Sequence, residues 1–195
     1  YLGELNIHIG EAFMGPIELA NVDFTYKDEG EPSENCPRKW WKATAEVFFI
    51  PGEGGGGVRM APEPRRNGIA FCAGDFASAG AELIFGGPPL LPAPEIFPGV
   101  TLNKIGFGFQ LREPILFEGD AEIRSGEIIH ATGGFLAAFA SPSAPYTFAA
   151  GDAGGSMPLL KGQTFYSTTV AIVGKVDVVP ADDGTLELGS AYLLY

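Results

Sequence analysis

The chain is 195 residues long, 46% hydrophobic and formally charged −12, with 28 glycines and 16 prolines. That hydrophobic share places it among globular chains and excludes disorder for most of its length. The acidic excess repels phosphate backbones and anionic lipid, which argues against nucleic acid as a partner, and no apolar run is long enough for a membrane span.

In chain order, strands are expected near residues 4 to 9 and over Ile17–Tyr26, followed by the clearest alternation of all, from Trp41 to Phe49. There Trp41, Ala43, Ala45, Val47 and Phe49 face one way and Lys42, Thr44 and Glu46 the other, the period of a half-buried strand. Further strands are expected near 68 to 73, 80 to 86, 100 to 109, 117 to 124, 127 to 140, 146 to 150 and 170 to 178, with Gly, Pro, Asp and Ser between them. Asp75–Leu83 and Phe135–Ala140 tolerate helix, but both are short and flanked by glycine. The apolar sides, Trp41 included, read as core, and the charged side at Glu118, Asp120 and Glu122 reads as the wet face of an antiparallel sheet. The fold class is therefore all-β and antiparallel, as stacked or solenoid-like sheets or as a β-sandwich.

A pattern recurs within this series. Ile17–Tyr26, Val100–Phe109 and Leu186–Tyr195 each carry apolar residues at offsets zero, two, five, seven and nine. The step from two to five breaks the strand period at one place in each copy, after Leu19, Leu102 and Leu188, and a β-bulge there would restore the face. Val100 lies 83 residues after Ile17 and Leu186 lies 86 after Val100. This spacing predicts a lead-in at 1–16, β repeat units at 17–99 and 100–185, and the start of a third at 186–195, as in a longer repetitive protein.

Side chains that could carry chemistry are sparse. Gly52–Gly57 fits a dinucleotide loop by spacing, yet Pro62 and Pro64 follow where a helix is needed. His8 and His130 have no second ligand nearby, so no zinc set is expected. Aspartates read as lying in turns at Asp75, Asp120, Asp152 and Asp182–Asp183 offer oxygen ligands to calcium without a calcium-loop spacing, and no cofactor is expected. Cys36, in a polar turn, and Cys72 can form a disulfide, which points to an oxidising compartment, extracellular or at the cell surface. Trp40, opposite in register to Trp41, is the expected exposed aromatic, and Arg59, Arg65 and Arg66 join it as candidate binding residues beside the 52–66 loop.

These readings rank three functions. The first is a non-catalytic structural or adhesive β-repeat segment of a larger secreted or surface assembly, whose partners are other copies of itself or neighbouring repeats. A glycan- or protein-binding β module comes next, and a β-sandwich glycosidase using Glu118 and Glu122 third.

Overall fold

A computed structural model describes residues 3–14, 17–31, 36–49, 56–59, 68–86, 92–178 and 186–194. The strands are β1 (Glu4–Met14), β2 (Ile17–Lys27), β3 (Trp40–Phe49), β4 (Gly56–Arg59), β5 (Gly68–Cys72), β6 (Asp75–Ile84) and β7 (Glu95–Phe97). They continue with β8 (Val100–Gln110), β9 (Ile115–Ser125), β10 (Ile129–Phe139), β11 (Tyr146–Thr147), β12 (Thr164–Phe165), β13 (Thr168–Val178) and β14 (Leu186–Leu194). The fold is all-β and antiparallel, as the alternation requires.

Twelve of these strands form one sheet, along the path β1-β2-β3-β4-β6-β8-β9-β10-β13-β14. β5 pairs with both β3 and β6 and so shares the place of β4, while β7 pairs with β8 at the side of the path. Among the described residues the main sheet is thus a single meander with β1 and β14 at its edges, and β11 and β12 form a separate ribbon. The helix-tolerant stretches lie in β6 and β10, where paired neighbours on both sides satisfy the backbone groups of a strand.

The bulges sit where the apolar offsets break. Register shifts between Ala20 and Asp23 on β2 and between Leu102 and Lys104 on β8. On β14, Val176 pairs with Gly189 and Asp177 with Glu187, which skips Leu188. Asn21, in the β2 bulge, adopts a left-handed φ of 49°, a conformation that asparagine tolerates better than a branched side chain. The strands bulged at the offset break, β2, β8 and β14, occupy the second, sixth and tenth places along the sheet path, and β6, at the fifth, carries a further bulge that skips Ala77 between Ser78 and Phe76.

Registers across the second half sort its side chains cleanly. On one face, Gly106, Asp120, Gly134 and Val173 form one row and Gly108, Glu118, Leu136 and Ala171 the next. On the other, Phe107, Gly119, Phe135 and Ile172 form a row beside Ile105, Ala121, Gly133 and Gly174. Every charged residue in the main-path strands from β3 to β13 whose side chain is described falls on the first face.

The connection between β10 and β13 folds back over that charged face. Its Tyr146, Phe148, Ala153 and Met157 pack on Leu116, Leu136, Ala138, Ala171 and Val173 in the larger hydrophobic cluster. Phe148 meets the Tyr146 and Phe165 rings edge-on at 5.3 Å. A smaller cluster joins Cys36, Trp40, Ala70, Cys72 and Ala77. Cys36 and Cys72 are bonded, S–S 2.01 Å, and tie the β2–β3 connection to β5.

The sheet's polarity is therefore the reverse of the sequence expectation. Beneath the cover the charged side, expected to be wet, is buried: Glu118 is 4% and Asp120 7% exposed, whereas Arg124 at the strand end stays 53% exposed. The apolar side, expected to be core, is open: Phe107 is 59%, Phe135 45% and Ile172 45% exposed. Alternation marks two different faces but does not say which of them a later segment will cover, and here the cover is the 140–167 connection.

Candidate functional site

A polar cleft opens at the margin of that cover, with a volume of about 210 Å³. β8 supplies Lys104, β9 Asp120 and Glu122, β10 Thr132, and the cover Gly154, Gly155 and Ser156. Strand alternation fixes the first four on one face, and the cover is placed by its own buried acid. Asp152 accepts hydrogen bonds from the Tyr146 hydroxyl and, at 2.7 Å, from Ala149 N–H. That closes the tight turn of 3-10 type over Asp152–Gly155, in which Ala153 and Gly154 take φ of 50° and 66°. Ala153 N–H then donates to the Glu118 carboxylate, fastening the turn to β9.

Asp120 lies between two glycines. A β-carbon on Gly106 would come within 2.3 Å of its Oδ1, and one on Gly154 would meet the whole carboxylate at 2.3 to 2.6 Å. Lys104 Nζ reaches Asp120 Oδ2 at 2.6 Å and Glu82 Oε1 at 3.3 Å. Burial works against the Lys104 ammonium, but the hydrogen bond and charge of Asp120, aided by Glu82, outweigh it and raise its pKa above 10.5. Farther up the same face Glu122 meets Arg124 at 2.9 Å and His130 Nε2 at 3.1 Å.

This arrangement is a lock. Glu118 holds the cover's backbone and Asp120 holds Lys104, while Glu122, the other acid of the expected glycosidase pair, lines the cleft. Buried charge is tolerated because each acid has a donor or a cation at hydrogen-bond distance.

The residues expected from sequence to bind are not gathered at this cleft. Trp40 is 6% exposed, contrary to the expectation of an exposed aromatic, because it packs with Cys36, Ala70, Cys72 and Ala77 and the Lys27 ammonium lies 5.8 Å from the centre of its ring. Its partner in the alternation, Trp41, stacks instead on Phe71 at 4.2 Å on the open face. Arg59 stands in β4, its backbone opposite Glu46 and Glu82, while Arg65 and Arg66 lie outside the described residues, as do residues 51–55 of the glycine-rich loop. His8 pairs with Asp23 at 2.7 Å on the surface. Among the described residues no three His, Cys, Asp or Glu side chains converge as a metal set, and Asp182–Asp183 lie outside them.

Sequence reasoning did not assemble Lys104, Glu82 and Asp120, which come from three strands. One signal was present: Lys104 interrupts an otherwise apolar and glycine-rich strand, where a charge calls for a partner. No protein-family model, no curated protein and no solved structure matches this chain.

Proposed function

We propose that this chain is a non-catalytic structural segment of a larger secreted or cell-surface β assembly, in which bulged strands recur every four places along one sheet. The position of β2, β8 and β14 at the second, sixth and tenth places carries this reading, since a bulge fixes twist and bend locally and its recurrence gives each unit the same shape. The units at 17–99 and 100–185 each contribute four places to the sheet. Neither unit has a second layer of its own beyond short covering segments, so each leans on its neighbour through paired strands.

Two further features support it. β1 and β14 each have a single described partner, and a strand edge of this kind is a template for another chain or another repeat. The Cys36–Cys72 disulfide fits an oxidising compartment. With Trp40 buried, the aromatic expected to carry the glycan-binding alternative is not at the surface.

Sedimentation equilibrium of the purified chain tests the reading. Particles that are multiples of 20.5 kDa are expected at micromolar concentration. A stable monomer over the whole concentration range would contradict it.

A further inference from the structure

The inverted polarity of the sheet asks what covers its open face. From β3 to β13 that face is built of aliphatic, aromatic and small residues with no charged side chain among the described main-path strand positions. Seven places about 4.8 Å apart and strands of up to 11 residues rising about 3.3 Å each give it an area on the order of 1,200 Å². The largest apolar patch of an ordinary monomer is about 300–600 Å². A standard protein interface takes about 800 Å² from each partner and carries a polar rim and about one hydrogen bond per 100–200 Å². This face is too large and offers too few polar groups for that.

Three observations point instead to hydrocarbon. β8, β9, β10 and β13 are each 11 residues long, and about 9–11 residues is the length of a strand that crosses a bilayer core. Rings run along one end of the strands, Phe24 to Trp41, then Phe71, Phe76 and Phe109 in successive contacts of 4.2 to 5.9 Å, an aromatic band of the kind found where hydrocarbon meets water. Beneath its cover the opposite face pairs Lys104 with Asp120 and Glu118 with the Ala153 N–H, as the interior of a plugged membrane sheet satisfies its own polar groups.

We infer that the open face of this sheet seats against the hydrocarbon of a phospholipid bilayer. The inference rests on the reading that the sheet continues past β1 and β14, because hydrocarbon does not tolerate an unpaired strand edge. The net charge of −12 favours zwitterionic over anionic lipid. Charge and apolar surface then have separate roles: the covered face holds the fold together, and the open face holds the membrane.

The two tryptophans are natural reporters, since Trp41 stands on the open face and Trp40 is buried with the disulfide. The full chain is mixed with phosphatidylcholine vesicles carrying bromine on their acyl chains, and fluorescence is read for Trp40→Phe, which leaves Trp41, and for Trp41→Phe, which leaves Trp40. Strong quenching of Trp41 with little of Trp40 is expected, weaker when anionic lipid is added. Because Trp40→Phe alters a core residue, vesicle flotation of Phe107→Lys and Ile172→Lys gives a second readout at exposed positions. Each is expected to lower partitioning about thirtyfold or more, the effect of a charge brought toward the bilayer centre. Equal quenching of both tryptophans, no quenching, or flotation unchanged by the lysines would overturn the inference. An assembly that forms without quenching sinks the lipid contact alone, whereas a chain that stays monomeric with lipid and without it sinks the repeat assembly and the lipid inference that rests on it.

Discussion

Lys104 shows how single residues hold this fold. It is the cation between Asp120 and Glu82, and Lys104→Met would leave two carboxylates facing one another without it. A loss of about 3 kcal/mol is expected in urea unfolding at neutral pH. The pH dependence has a definite sign: a pKa raised on folding means that the contribution is fully present below 10.5 and is lost as pH climbs through the folded value. Stability should therefore fall more steeply on the alkaline side in the wild type than in Lys104→Met. Gly154 gives a second case, since its φ of 66° and its contact with the Asp120 carboxylate both oppose a side chain. Gly154→Ala is expected to cost more than about 2 kcal/mol, against about 1 for Gly126→Ala, whose φ is also positive but which faces open space. Equal shifts in thermal unfolding for the two variants would show that Asp120 does not clamp the turn.

At the scale of strands and turns, the chain was largely legible. Alternation is a local property, so β3, β9 and β13 could be read directly, and the break after Leu19, Leu102 and Leu188 announced the bulges because one skipped residue inverts every face that follows. Asn21 tests this. Asn21→Val places a branched side chain at a left-handed φ and is expected to cost roughly 1–2 kcal/mol in denaturant unfolding, whereas the same change at Asn103, whose φ is not left-handed, should cost less. The disulfide belongs to this scale too. It closes a separation of 36 residues, and Cys36→Ser with Cys72→Ser is expected to lower stability by about 4 kcal/mol on the chain-entropy model. Exchange-rate mapping should place most of that loss in β3, β5 and β6.

At the scale of the whole molecule the sequence was silent where distant segments meet. Which side of β9 is covered depends on the connection at 140–167, whose Tyr146, Phe148 and Met157 carry no periodicity that names a target. The burial of Trp40 was illegible for the same reason, because it comes from Cys36, Ala70, Cys72 and Ala77, brought together from separate segments. The lock of Lys104, Asp120 and Glu82 needs three strands in register before it exists. What emerges among the described residues is a sheet with a charged face covered in its second half, an open apolar face, and β1 and β14 at its edges.

Hydrogen exchange along the edge strand Glu4–Met14 tests the proposal of a continuing sheet most directly. Half of its amides bond to β2 and the alternate half point away from the sheet. In the assembled particle, protection of both sets to a similar degree is the expected result. Fast exchange of the outward set, with the inward set still protected, would mean that the edge is bare and that the sheet ends at β1.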